Sequence, residues 1–224
     1  GYVEAAAADI GSYAGDIGKV VVDGAGSQLA MFDEELYIGN EGAGALTLRN
    51  GGTLDQTGII DDAPVGVAVE AGSTGVLNIG AASGDAAAAP GVVIASGVEG
   101  GAGDATLTFN HTSSDYYFTT DGTAAGDAVV ISGSIHVNAL AGTTYLTGDN
   151  TFTGGVTLDG GLLVAANDSG SATGSGDVDI MSGATLGGNG VIDGSVNIAD
   201  GGILAPGMSP GTLTINTDLT LNSG

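Results

Sequence analysis

Two pairs of carboxylates are the residues of this chain that could carry out acid–base chemistry. Asp61 and Asp62 are adjacent, and Asp177 and Asp179 lie two residues apart. Residues i and i+2 of a strand point to the same face, so Asp177 and Asp179 can project outward together. Paired carboxylates are the acid and base of glycoside hydrolases, which makes a polysaccharide-active protein one hypothesis. We favour solvated charge on an outer face, because the chain has few aromatic rings and cations with which to hold a sugar.

Nucleophilic catalysis has little support in the sequence. The two histidines, His111 and His136, fall in different repeats, so the fold itself would have to assemble a catalytic pair of a histidine with an acid. The absence of cysteine excludes thiolate chemistry. We therefore predict that the chain is not an enzyme, and we assign no catalytic residue.

Aspartate beside glycine is the pattern that could bind calcium through oxygen ligands. The chain has twenty aspartates, several of them in Asp-Gly pairs, but neither the G-G-x-G-x-D nor the D-x-D-x-D-G loop occurs. Asp-Gly is also ordinary turn chemistry. We predict no metal-ligating residue and no cofactor. Calcium binding is the minor alternative to diffuse screening of the negative surface by cations.

The charge balance narrows the possible partners. The chain carries 26 acidic residues against Lys19 and Arg49, a formal net charge of −24 at pH 7. Nucleic acids and anionic membrane surfaces both require clustered cations, so we predict neither as a partner, and no small-molecule substrate. No apolar run is long enough to span a membrane, and residues 1–20 show no signal-peptide pattern. An exported parent protein would therefore carry this chain as an internal segment.

Short strands that end in glycine turns are the recurring local element. Apolar and polar residues alternate with a period of two, as in strands with one buried face. The clearest segments are Lys19–Asp23, Ala45–Leu48, Gly75–Ile79, Ala105–Phe109, Gly155–Leu158, Asp177–Ile180, Ser195–Ile198 and Thr212–Ile215. With 44 glycines and 4% aromatic residues, the composition predicts a thin core of Val, Ile, Leu and Ala.

The spacing of these strands predicts a solenoid. In the C-terminal half the tripeptides VTL, VDI, VNI and LTI begin at residues 156, 178, 196 and 213, a period of roughly 20 residues. We therefore predict an all-β fold, a right-handed parallel β-helix of roughly ten coils and about 50 Å in length. Leucine-rich repeats share the period, but their motif is absent here. An antiparallel sandwich or barrel is the alternative that the strand pattern leaves open.

We expect one continuous body over residues 1–224, with two regions. Residues 19–105 are predicted to form less regular coils, in which Asp55–Gly66 and Ala81–Gly91 are insertion loops. Residues 106–224 form the more regular region. Function in a solenoid usually lies on such insertions or along one face.

Two smaller patterns have structural as well as functional interpretations. Tyr116-Tyr117-Phe118 is either an exposed contact patch or a strand whose rings alternate between inside and outside. Asn150 and Asn189 are predicted to form a stacked polar ladder within turns, which would be structural.

Four segments of the C-terminal half resemble the passenger region of bacterial type V autotransporters, in particular its passenger-associated repeat. They are LTFNHTSSDYYFTT (107–120), TTYLTGDNTFTGGVTLDGGLLV (143–164), GATLGGNGVIDGSV (183–196) and GGILAPGMSPGTLTINTDLTL (201–221). Residues 19–54 resemble a second repeat type of autotransporter-like surface proteins, and residues 69–80 partly match it. Together these resemblances cover most of the chain.

The resemblance implies a location and a role. Such passengers are right-handed β-helices that a C-terminal β-barrel of the same protein exports through the outer membrane to the cell surface or the medium. We therefore expect the structural shaft of an adhesin that contributes to virulence, with a host surface or a second copy as its contact partner. A purely structural, secretion-coupled or self-assembling module, in filaments or biofilm, is the alternative. The tail around residues 205–211 is similar to passenger coils that lie inside a longer rod.

Overall fold

The computed structural model describes residues 1–59, 63–207 and 211–222. Over these residues the backbone forms strands, turns and loops, and no helix is present. All pairings between the described strands are parallel, and antiparallel pairing is limited to isolated bridges such as Thr119↔Ala128. The predicted all-β class is confirmed, and the parallel pairing is that of a solenoid-like fold rather than of an antiparallel sandwich or barrel.

Three strands recur in a fixed order along the chain, and we call the surfaces that they form faces 1, 2 and 3. Face 1 consists of β1 (Tyr2–Ala5), β4 (Gln28–Met31), β7 (Thr53–Asp55), β10 (Val92–Ile94), β12 (Tyr116–Tyr117), β14 (Thr143–Leu146), β16 (Leu162–Ala165), β18 (Thr185–Gly188) and β21 (Ile203–Pro206). Face 2 consists of β2 (Ala8–Ile10), β5 (Leu36–Ile38), β8 (Val65–Val67), the first parts of β11 (Gly97–Asn110) and β13 (Val130–Ala141), β19 (Val191–Ile192) and β22 (Thr214–Ile215). Face 3 consists of β3 (Ile17–Asp23), β6 (Ala43–Arg49), β9 (Thr74–Gly80), the second parts of β11 and β13, β15 (Val156–Leu158), β17 (Val178–Ile180), β20 (Val196–Ile198) and β23 (Leu219–Leu221).

Each strand pairs with the equivalent strand of the next three-strand unit. On face 3 this pairing is continuous from β3 to β23, which gives nine stacked units in the described part of the chain. The long strands β11 and β13 bend from face 2 to face 3 and join both faces into one 12-stranded sheet. Face 1 is divided into a four-stranded sheet that ends at β10 and a five-stranded sheet that begins at β12.

The core is built from columns of apolar side chains that repeat from unit to unit. One column on the inner side of face 3 comprises Val20, Leu46, Leu77, Leu107, Val137, Val156, Val178, Val196 and Leu219. All members from Leu46 to Val196 are fully buried. Because strands of neighbouring units lie about 4.8 Å apart, side chains within a column touch and exclude water. The predicted thin core of Val, Ile, Leu and Ala is therefore present, together with a small cluster of aromatic rings around Phe109.

Close approach of neighbouring units selects glycine at the bends. Gly44 and Gly75 are register partners on β6 and β9. A Cβ atom at Gly44 would lie 2.1 Å from the carbonyl oxygen of Ile10, and one at Gly75 would lie 2.2 Å from that of Ile38. No other residue fits between these strands without moving the backbone.

The strand register confirms most of the predicted repeat and corrects one step. Val137, Val156, Val178 and Val196 are successive partners, at spacings of 19, 22 and 18 residues. The next partner of Val196 is Leu219 rather than Leu213. The predicted strand Thr212–Ile215 is present only as β22, which pairs with β19 on face 2. The LTI tripeptide lies on face 2, one strand before the last strand of face 3, so it was assigned to the wrong face.

The insertions of the N-terminal half lie where they were predicted. Residues 56–64 connect β7 to β8 and residues 81–91 connect β9 to β10, with only isolated bridges in the second. A third insertion, residues 118–129 between β12 and β13, folds as a short hairpin that the sequence patterns did not indicate.

Within the described residues, no helix is long and apolar enough to cross a membrane.

Candidate functional site

The outer side of face 2 carries a row of chemically distinct residues in successive units. Asp9, Tyr37, Gly66 and Glu99 occupy equivalent positions on β2, β5, β8 and β11. Because alternate residues of these strands point inward, this row faces outward. Asp9 and Glu99 are exposed, whereas Tyr37 is half-buried.

Tyr37 is held in place at both ends. Its hydroxyl group donates a hydrogen bond of 2.5 Å to the Glu35 carboxylate. Its ring lies against Gly66, where an added Cβ atom would come within 2.6 Å of Tyr37 Cδ1. The ring therefore has one strongly favoured orientation, and the glycine of the next unit is required for it.

The hydrogen bond between Glu35 and Tyr37 changes the acidity of both groups. It is the main cause that raises the pKa of Tyr37 to about 12, with burial and nearby carboxylates adding to the effect. The same bond holds the pKa of Glu35 below its usual value. At neutral pH Tyr37 is therefore a phenol that donates and Glu35 a carboxylate that accepts.

Hollows on both sides of the Tyr37 ring form one groove along face 2, which we call the Tyr37 groove. The larger hollow, about 710 Å³, is lined by Ala7, Ala8, Asp9, Asp33, Glu34, Glu35, Tyr37, Ile59 and Ala63. The smaller, about 310 Å³, is lined by Glu35, Tyr37, Ala63, Pro64, Gly66, Val69, Glu99 and Gly101. The wall at Ile59, Ala63 and Pro64 comes from the 56–64 insertion. The groove presents carboxylate acceptors and one aromatic ring, which suits neutral or positively charged groups.

Asp179 lies on β17 and Asp177 directly before it, so the acid pair that the sequence singled out is on face 3. Asp177 is exposed, and Asp179 accepts a hydrogen bond of 2.9 Å from Asn197 Nδ2. The register partners of Asp179 are Thr157 and Asn197, so no acid of a neighbouring strand joins it on the outer side of face 3. This environment is that of a solvated polar column. The other predicted pair, Asp61 and Asp62, lies outside the described residues.

Within the described residues, neither histidine forms an ion pair or a hydrogen bond with a carboxylate, and the two lie in different environments. His136 lies on the outer side of face 3, where its ring nitrogens bond Gly154 O at 2.8 Å and Thr157 Oγ1 at 3.0 Å. His111 is fully buried, with Nε2 2.8 Å from Thr144 Oγ1 and no hydrogen-bond partner for Nδ1. Neither histidine forms the catalytic pair with an acid that the sequence left as an alternative.

Buried asparagine joins units of the C-terminal half. Asn150 Oδ1 accepts a hydrogen bond of 2.8 Å from Ile131 N, and its Nδ2 donates one of 2.7 Å to Ala172 O. The side chain thus links backbone groups of the units on either side of its own. Asn189 is exposed and takes no part in this link, so the predicted ladder of Asn150 with Asn189 is wrong. Asn167 makes the comparable buried contact, accepting from Val191 N at 2.9 Å.

The aromatic run alternates between inside and outside, as one of its two interpretations predicted. Tyr116 and Phe118 are buried beside Phe109. Tyr117 points outward and stacks on Tyr145 of the next unit, with ring centroids 4.2 Å apart and planes 12° apart. Both rings of this outward pair are half-buried, because each covers the other by stacking. The pair therefore stabilises face 1 and does not form a wide exposed apolar patch.

Within the described part of the chain, no group of three or more His, Asp or Glu side chains is arranged to hold a metal ion.

Comparison with known proteins gives one informative similarity. The chain is 34% identical over 207 residues to a protein of Escherichia coli (strain K12) described as "Uncharacterized lipoprotein YdeK". The matched stretch covers 90% of this chain and 14% of that lipoprotein, so the chain spans about one seventh of its relative's length. No family model matches the chain, and no solved structure matches it.

Sequence patterns alone missed the Tyr37 groove. Asp9, Tyr37, Gly66 and Glu99 are each about 30 residues apart, and nothing in their immediate neighbours distinguishes them. Only the strand register of face 2 brings them into one row. The prediction that functional sites lie on insertions was the one feature of the sequence that pointed to the groove, because Ile59 and Ala63 of the 56–64 insertion line it.

Proposed function

We propose that this chain is a segment of the shaft of a bacterial surface adhesin of the autotransporter kind, and that it folds as a closed, right-handed parallel β-helix. The observation that supports this most strongly is the unbroken register of face 3 from β3 to β23. Nine units at about 4.8 Å per step give a rod about 40 Å long within this segment alone. Each added unit lengthens such a rod without requiring a new core, which suits a spacer between a cell surface and a contact site.

The similarity to a lipoprotein supports an envelope location. A lipoprotein is held at a membrane through its lipid, so similarity to a protein described as a lipoprotein favours a cell-surface or secreted location for the parent of this chain. The match covers a small share of the relative, which agrees with a segment of a longer protein. The outer-membrane β-barrel that autotransporters carry at their C-terminus belongs to this proposal.

The proposal includes the absence of catalysis. The outer side of face 3 displays Asn138, Thr157, Asp179, Asn197 and Thr220 as one polar column, in which Asp179 is the single acid. A glycoside hydrolase needs two carboxylates facing one bond. The Tyr37 groove concentrates carboxylates instead, and we propose it as the contact surface of the segment.

Adhesion of beads tests the role of this segment. Beads coated with the chain are counted on host epithelial cells and on surfaces coated with the same chain. The proposal predicts binding above an albumin control that falls several-fold in Tyr37→Ala and persists in Tyr13→Ala, since Tyr13 is exposed and does not line the groove. Binding to neither surface would favour the purely structural or secretion-coupled module. Binding to the chain-coated surface alone would favour self-assembly.

Two further measurements test the surface location of the segment and the alternative that it cleaves polysaccharides. An epitope inserted after Gly84, in the exposed 81–91 insertion, is predicted to be cleaved by protease added to intact bacteria. Protection until the outer membrane is opened would contradict a surface location. Release of reducing ends from neutral polysaccharides, abolished by Asp179→Asn, would support the polysaccharide-active alternative and contradict the shaft.

A further inference from the structure

The two halves of the molecule meet at a seam on face 1, where the sheet is interrupted. β10 pairs only with β7, and β12 pairs only with β14. Faces 2 and 3 remain continuous at this level through β11 and β13. On face 1, therefore, no pairing of strands joins the N-terminal sheet to the C-terminal sheet, and the contacts between them are side chains and the short backbone bridge of Ala88 with His111 and Thr112.

His111 lies at the centre of this seam. It forms an isolated bridge with Ala88 of the 81–91 insertion, and its Nε2 is 2.8 Å from Thr144 Oγ1 on β14. Its ring lies 5.1 Å from the ring of Tyr116 on β12. Tyr116 in turn donates a hydrogen bond of 3.0 Å to Gly91 O, at the end of the same insertion. One histidine thus contacts elements on both sides of the interruption.

The packing around His111 excludes water and leaves one nitrogen without a partner. The side chain is fully buried, and Nδ1 has no hydrogen bond. Gly142 adopts a φ of +86° directly against the ring, and an added Cβ atom there would lie 2.3 Å from Nδ1. The backbone of Gly142 therefore packs closely against this edge of the ring.

The charged and titratable groups on the surrounding elements do not compensate a positive charge. Tyr116 contacts the ring but presents its hydroxyl to Gly91. Tyr145 on β14 points outward against Tyr117. Asp85 of the insertion and Asp115 before β12 are both exposed, and neither bonds His111. A protonated His111 would place a charge in this buried site with no carboxylate bonded to it, which is strongly unfavourable, and the Ser113 backbone offsets only a small part of that cost.

We propose that His111 is an acid-sensitive latch: its protonation opens the face 1 seam while faces 2 and 3 remain paired. Burial lowers the pKa of His111 to about 4, with a small opposing effect from the Ser113 backbone. The open seam exposes the histidine and restores its usual pKa near 6.5. The closed seam therefore keeps its full stability above pH 6.5 and loses it as the pH falls toward 4. At pH 4.5 the ratio of open to closed seam rises roughly 60-fold relative to pH 7.

Hydrogen exchange measured by mass spectrometry tests the latch on the full chain. At pH 4.5, after correction for intrinsic rates, we expect protection of residues 92–94 and 111–118 to fall at least tenfold relative to pH 7, while β3, β6 and β9 remain protected. His111→Gln can keep the bond to Thr144 Oγ1 but cannot titrate, so this variant should show no such pH dependence. His136→Gln, which alters the outward histidine, should behave like wild type.

A second measurement does not depend on the variant folding. The His111 Cε1 resonance of wild type is followed by NMR between pH 8 and pH 3.5. The latch predicts no titration near pH 6.5 and a change only as the seam opens. An ordinary titration near pH 6.5 with unchanged seam exchange would overturn the proposal, and so would equal acid-induced exchange in His111→Gln and wild type.

Discussion

The regions on either side of the face 1 seam both stack parallel units, but they differ in repeat length and in the residues of the inner column. The N-terminal region repeats every 26 to 31 residues on face 3, with Leu46, Leu77 and Leu107 in its inner column. The C-terminal region repeats every 18 to 23 residues, with valines in that column and the buried Asn150 linking units. The longer repeat leaves room for insertions and a groove, whereas the shorter one makes a plain rod. In this molecule, the region with the longer repeat carries the candidate contact surface, and the region with the shorter repeat is the candidate spacer.

The largest expected effect comes from removing a large side chain of the N-terminal column. Leu107→Ala deletes a fully buried side chain between Leu77 and Val137 and should lower the free energy of unfolding by about 4 kcal/mol. Val178→Ala removes less apolar surface and should cost about 2 kcal/mol. Urea unfolding followed by circular dichroism measures both. Equal costs would mean that the two regions do not differ in how their columns contribute.

The C-terminal region should instead be sensitive to loss of its polar link. Asn150→Ala leaves Ile131 N and Ala172 O buried without partners and should cost about 3 kcal/mol. Asn189→Ala, at an exposed position in the same region, should change stability by less than about 0.5 kcal/mol. Thermal unfolding followed by circular dichroism measures both variants. Equal melting temperatures would mean that Asn150 does not link these units.

A smaller effect is expected in the N-terminal groove. Tyr37 should remain protonated until the pH approaches its pKa of about 12, and Glu35→Gln should lower that pKa because its main cause is removed. Because the pKa of Glu35 is depressed in the folded chain, its bond contributes stability that is lost as the pH falls through that pKa. Tyr37→Phe should reduce this loss. NMR titration of the tyrosine Cζ resonances identifies the group, and a Tyr37 pKa near 10 in wild type would contradict the geometry.

The smallest expected effect is that of calcium. Because the described acids form no cluster of metal-ligand geometry, the melting temperature in millimolar calcium should match that in sodium chloride of equal ionic strength. Thermal unfolding in chelator, in calcium and in the matched salt measures this. A rise in melting temperature that is specific to calcium would show that Asp-Gly turns bind the ion. The stability of both regions would then depend on calcium.

The sequence predicted local strands better than it predicted their neighbours. Alternation identified segments such as Lys19–Asp23 and Ser195–Ile198 because each strand buries one side, and that pattern is local. The predicted register was wrong at Leu213, since Thr214–Ile215 pairs on face 2 and the partner of Val196 on face 3 is Leu219. The Tyr37 groove and the His111 seam depend on residues brought together across units. Such contacts leave no local pattern in the chain.

Distances between spin labels along face 3 test the stacked register most directly. Val21, Asn138 and Thr220 occupy equivalent outward positions in the first, fifth and ninth units. At about 4.8 Å per step, labels at Asn138 and Thr220 should lie about 19 Å apart, and labels at Val21 and Thr220 about 38 Å apart. A twofold ratio of the two distances by pulsed electron paramagnetic resonance would support a continuous parallel rod. Equal distances, or a shorter one between Val21 and Thr220, would contradict it.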